Sequence, residues 1–153
     1  MVSYEKTAAV VAVLVVLATV GAGFLTTGAA TADNNYDFYV KSVTYPQTIY
    51  PNTLTATRAV VGNRGTQSAA FVYYKYTITD ERGAKVFESG DDTYLHTMPA
   101  GSESRKSLSS VMLPLPGTYK ARVELNWDKI RGYEEANKAD NVFETTFVVQ
   151  KTG

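Results

Sequence analysis

His96, the single histidine in 153 residues, follows Asp91 and Asp92 closely and precedes Ser102 and Ser104. A base, an acid and a hydroxyl are the parts of a hydrolytic set. The Gly-x-Ser-x-Gly elbow that would present the serine is missing, and Ser-rich strands are common in secreted β-domains. No catalytic residue is therefore expected, and no enzyme. The chain has no Cys, which removes thiolate nucleophiles, disulfides and Cys-based metal sites. One histidine also removes paired-His metal sites.

The second chemistry the residues could support is oxygen ligation. Glu124, Asp128, Glu134, Glu135 and Asp140 gather around one late loop, and hard cations such as Ca²⁺ take several loop oxygens. A Ca²⁺ site would draw on Asp128, Glu134, Glu135 and Asp140. Their spacing matches no calcium loop, however, and Lys129, Arg131 and Lys138 would repel a cation. The better expectation is a structural loop in which Glu135, Asn137, Asp140 and Asn141 satisfy backbone and side-chain groups, partly through Asx turns. No cofactor or metal is expected.

The third chemistry is recognition by aromatics. Phe71 and Tyr73 fall on the opposite strand face from Tyr74 and Tyr76, and could form an exposed stripe that docks a partner. The plainer reading is that outer strands simply favour aromatics. Trp127 is expected to close one end of the core rather than to stack on a sugar. With 15 basic and 15 acidic side chains, the balance makes no case for nucleic acid.

Two kinds of element must carry these residues. Thr7 to Leu25 is nineteen residues without a charge, which as a helix spans about 28 Å, near the thickness of a bilayer core. Lys6 and the amino terminus lie before it and Asp33 after it, so the remainder is directed outward. Two readings stand for residues 1–32. One is a signal peptide cut after Ala30-Thr31-Ala32. The other is a retained membrane-anchor helix through residues 7–25. Residues 33–153 form the second unit.

That unit alternates in period two between turn signals. Strands are expected at Asp37–Tyr45, Thr53–Val61, Phe71–Thr79, Lys85–Glu88, Thr93–Thr97 (weak), Arg105–Leu113, Tyr119–Asp128 and Val142–Gln150. The first should kink between two sheets, with Phe38 and Val40 on one face and Val43 and Tyr45 on the other. In the second, Leu54, Ala56 and Val60 share a side, and Arg58 among them suggests a bulge or an edge. Asp128 to Asn141 reads as a polar loop with no core face. No helix fits after residue 33. About seven short strands imply an all-β fold, an immunoglobulin-like antiparallel β-sandwich. Tyr119, just after a Pro-Gly turn, is placed for a tyrosine corner.

Four local signatures occur in order. They are Asn63-Arg64-Gly65, Ala100-Gly101-Ser102, Pro116-Gly117-Thr118-Tyr119 and the loop Glu135-Ala136-Asn137-Lys138-Ala139-Asp140-Asn141. Together they resemble the CARDB family, the cell-adhesion-related domain of bacteria and archaea, over about Tyr36 to Val149. Lys138, Asp140 and Asn126 depart from its usual Glu, Asn and Asp. The resemblance implies an immunoglobulin-like fold and roles in surface adhesion, binding or spacing, without catalysis.

The expected function is a non-enzymatic extracytoplasmic module for adhesion or protein binding, secreted or membrane-anchored. Its partner would be a protein or cell-surface component. The alternative is a structural subunit of a surface filament with the apolar helix in the fibre core. Self-association by strand addition at an open sheet edge is a further expectation.

Overall fold

The structure, a computed structural model, describes residues 35–135 and 137–151. The leader, its proposed cleavage site and the boundary at residue 33 lie outside the described residues. Among those described, no helix is long and apolar enough to cross a membrane.

Among the described residues the fold comprises ten strands and one 3₁₀ turn. They are β1 (Phe38–Thr44), β2 (Leu54–Thr55), β3 (Arg58–Asn63), β4 (Ala69–Thr79), β5 (Lys85–Glu88), β6 (Tyr94–Met98), β7 (Ser102–Ser107), β8 (Val111–Met112), β9 (Gly117–Leu125) and β10 (Val142–Val149), with the turn at Ala139–Asn141. One sheet has the order β1-β3-β7. The other runs β10-β9-β4, and the eleven-residue β4 pairs on its far edge with β6 near its start and with β5 near its end. A two-strand ribbon joins β2 to β8. All pairings are antiparallel. This is an all-β immunoglobulin-like sandwich, as the strand pattern implies.

Alternation explains the core. Val72, Tyr74, Tyr76 and Ile78 of β4 and Tyr119, Ala121, Val123 and Leu125 of β9 all point inward and are buried. Burying each large apolar side chain stabilises the fold by about 1.5–3 kcal/mol. Tyr76 is fully buried, so its hydroxyl must find partners inside. It shares hydrogen bonds with Thr57 Oγ1 at 3.2 Å and Tyr45 Oη at 3.0 Å. Burial pushes the Tyr45 and Tyr76 phenols upward, and for Tyr45 the neighbouring Tyr76 adds to the rise, so both stay protonated.

That buried hydroxyl also corrects the reading of the second strand. Its inward residues are Thr55, Thr57, Ala59 and Val61, whereas Leu54, Ala56 and Arg58 face out. A polar threonine wins the inward position because the Tyr76 hydroxyl needs a partner there. The segment also breaks at Ala56–Thr57, leaving Arg58 at the start of a central strand rather than on an edge. The bulge lies in β1 instead, where the register shifts between Val40 and Ser42. The extra residue returns Val43 to the same side as Phe38 and Val40, and all three are buried. The first strand therefore stays in one sheet. The Ser-rich strand likewise divides into β7 and β8, because Leu108 turns into the core between them.

The registers define two ends. Phe38 pairs with Asn63 and Val142 with Glu124, so the start of β1, the end of β3, the end of β9 and the start of β10 share the upper end. Val149 pairs with Gly117, and the Gln150 amide donates to the Ile49 carbonyl at 2.8 Å, at the lower end.

Candidate functional site

The loop between β9 and β10 frames the upper end. β9 stops because Asn126 takes a left-handed backbone, φ 51°, which Asn tolerates better than most residues. Its side chain holds the far side of the loop: Oδ1 accepts from the Tyr133 amide at 2.7 Å, and Nδ2 donates to the Tyr133 carbonyl at 2.7 Å and to Glu135. Glu135 also accepts from the Phe38 amide at 2.6 Å and from Asn141 Nδ2 at 2.7 Å. One carboxylate thus ties β1, the end of β9 and the entry to β10 together. Asn141 is fully buried, and its Oδ1 has no partner among the described residues.

Beside this knot, Asn63 is buried and fully used. Its Nδ2 donates to the Gln67 and Met98 carbonyls, and its Oδ1 accepts from the Gly65 and Asp37 amides. Arg64 pairs with Asp37 at 3.0 Å and with Asp140. A side chain on Gly65 would collide with the Asn35 carbonyl, 2.4 Å from the Cβ position. Asn137 Oδ1 accepts from the Ala139 amide at 3.0 Å, an Asx turn.

The loop does have a core face, contrary to its polar appearance. Tyr133 packs against Tyr36 at 4.4 Å and Phe38 at 5.6 Å between ring centroids, and Asp128 is buried. Asp128 Oδ1 accepts from the amides of Ile130 and Arg131, and Oδ2 from Arg131 Nε at 2.5 Å. Those two backbone donors, with the guanidinium, hold its carboxyl below the usual aspartate range.

The four carboxylates weighed for Ca²⁺ are therefore dispersed among protein donors. Asp128 faces Arg131, Glu135 faces amide groups, Asp140 faces Arg64, and Glu134 is exposed. Among the described residues, no group of three acidic, His or Cys side chains could hold a metal ion. The hydrolytic set is not assembled either. The His96 ring packs edge-on against Tyr94 at 5.1 Å and Phe71 at 6.1 Å, Asp91 pairs with Lys75, and Asp92 pairs with Arg131. Ser102 donates to the Pro99 carbonyl at 2.8 Å.

What the structure assembles instead is an aromatic face. β4 and β6 pair Phe71 with His96 and Tyr73 with Tyr94. The four rings form a chain of edge-to-face contacts, with Phe71–Tyr94 at 5.0 Å and Tyr73–Tyr94 at 5.8 Å. Phe71 is 49% exposed and Tyr94 39%. Arg131 lies 4.1 Å above the Tyr73 ring and binds Asp92 at 2.6 Å and the Asp91 carbonyl at 2.9 Å. Phe71 and Tyr73 were visible in the sequence; Tyr94, His96 and Arg131 were not. The alternation Tyr94-x-His96 was the available signal, weakened because that strand is short.

Trp127 does not close the core. The left-handed turn at Asn126 breaks the inward alternation, and the half-buried indole lies 4.2 Å beneath the Lys75 ammonium. At the lower end the Tyr119 hydroxyl donates to the Leu115 carbonyl at 2.8 Å, four residues upstream.

No protein-family model and no curated protein matches this sequence. Solved structures do. The CARDB domain of a Pyrococcus furiosus protein, crystallised in complex with di-metal ions, is similar with a TM-score of 0.57 at 16% identity, over 76% of this chain and 94% of that one. Its solution structure gives 0.53 at 18% identity over the same shares. A domain from Methanosarcina acetivorans, described as part of a cell surface protein, gives 0.53 at 18% identity, over 75% of this chain and 92% of that one. The described residues of this chain thus have the immunoglobulin-like fold of the CARDB domains.

Proposed function

We propose that the chain is a non-enzymatic surface module, delivered outside the cytoplasmic membrane by its apolar leader, that binds a protein or cell-surface component through the aromatic face of β4 and β6. The observation that carries the reading is that face. Phe71, Tyr73, Tyr94 and His96 stand together on the outside of the sheet, and Arg131 is stacked at their border. Aromatics and arginine dominate binding energy at protein interfaces, and a clustered exposed patch of them has no role in the core. The leader and the likeness to a domain described as belonging to a cell surface protein support the location.

The test uses the full chain. Antibody should label residues 33–153 on intact, unpermeabilised cells. The purified chain in detergent should bind the surface of producing cells, and the double substitution Phe71→Ser and Tyr94→Ser should weaken that binding by at least about tenfold with little change in melting temperature. Labelling only after permeabilisation, or equal binding by the double variant, would refute the proposal.

A further inference from the structure

Ile130 is 94% exposed, yet it sits on one of the most firmly held turns in the molecule. Asp128 accepts from the Ile130 amide at 2.8 Å and from the Arg131 amide at 3.1 Å. Arg131 is clamped by Asp128, Asp92, the Asp91 carbonyl and the Tyr73 ring. Gly132 passes so close that a Cβ there would lie 2.2 Å from the Asp128 carbonyl. A turn built this way holds a large apolar side chain in water at low conformational cost for docking. Lys129, also exposed, puts a positive charge beside it.

The lower end offers the complement. The β4–β5 turn and the entry to β9 enclose an open cleft of about 540 Å³. Val86, Leu115, Pro116 and Tyr119 give it an apolar wall, and Asp80 and Glu81, with Arg82 beside them, give it a charged side that is acidic on balance. Leu115 is 65% exposed within it. Nine residues of β9 separate this cleft from the Ile130 turn, about 30 Å at 3.3 Å per residue. One molecule therefore cannot fill its own cleft with its own isoleucine.

We propose that the chain associates head to tail with further copies of itself, Ile130 of one copy entering the Leu115 cleft of the next with Lys129 facing Asp80 and Glu81. A second copy fits because its basic-flanked apolar knob matches an apolar cleft whose charged side is acidic on balance. Because the two surfaces differ and lie at opposite ends, the contact is heterologous and every linear assembly keeps one free knob and one free cleft, so association is open-ended. The inference does not depend on what the aromatic face binds.

The absence of cysteine makes the test direct. Full-length chains carrying Ile130→Cys, Leu115→Cys or both are purified in a neutral detergent, oxidised with copper–phenanthroline and run without reductant. A mixture of the two single variants should give a cross-linked dimer and nothing larger. Each single variant alone should remain monomeric, and the double variant should give a ladder. Adding Lys129→Glu to the Ile130→Cys chain should lower the dimer yield several-fold. The proposal is overturned if the mixture yields no cross-link, if the single variants dimerise alone as well as together, or if Lys129→Glu leaves the yield unchanged. Association driven by the apolar leader or by sheet edges would give those patterns.

Discussion

Glu135 receives three donors that reach it from three separate segments: the Phe38 amide, Asn126 and Asn141. Glu135→Gln keeps the shape but turns an NH₂ toward some of those donors, so stability should fall by about 2–3 kcal/mol, read by chemical denaturation. Asp128 makes a different prediction. Its folded-state pKa is depressed, chiefly by the amides of Arg131 and Ile130. The stabilisation is therefore complete above the ordinary aspartate value and is lost as pH falls through the lower folded-state value. Asp91, Glu103 and Glu144 are shifted the same way, each first of all by a lysine hydrogen bond, to Lys75, Lys41 and Lys120 respectively. The melting temperature should be nearly flat above about pH 5 and drop below about pH 4. Asp128→Asn should make that drop shallower, and an unchanged slope would show that the clamp does not contribute. The Glu135 knot was partly legible beforehand, because Glu and Asn at that spacing suggested internal hydrogen bonds. The donor from β1 was not, since nothing in sequence joins residues 97 positions apart.

Strands with one clean face were readable from their alternation, as β4 and β9 demonstrate. The failures occurred where a polar residue points inward or a turn reverses the pattern. Thr57 faces the core beside the Tyr76 hydroxyl, Thr55 turns inward with its own hydroxyl on the Thr53 carbonyl, and the β1 bulge returns Val43 inward. Pattern reading assigns faces by hydrophobicity, so a threonine recruited by a buried phenol misleads it. The sheet edges behave in a similarly concealed way. The open edge expected near Thr93 is not bare, because Lys106 of β7 donates to the carbonyls of His96 and Thr97 at 3.0 and 3.1 Å. A lysine so placed competes with any strand that would add there. Lys106→Ser should therefore speed aggregation on warming, measured by light scattering, while changing the melting temperature little. Equal scattering would mean that the edge is protected by other means.

At the scale of the whole molecule, the two-sheet architecture was legible and the location of most of its exposed apolar groups was not. Ile130, Leu115 and Tyr94 carry no mark in the sequence that separates them from core residues, whereas the alternation of β4 sets Phe71 apart. Only the fold sorts them to opposite ends and to one outer face. The route of the chain has a mechanical consequence. Residue 35 enters at the upper end beside the start of β1, and residue 151 leaves at the lower end after β10. Tension applied between those points slides β1 along β3 and β10 along β9. Many ladder bonds must then yield at once rather than peel in turn. Drawn between residues 35 and 151 in optical tweezers, the module should resist a markedly higher force than when drawn between residues 35 and 64, where β1 is unzipped from one end. Such a sandwich is suited to transmit load along its length and to give way only when sheared.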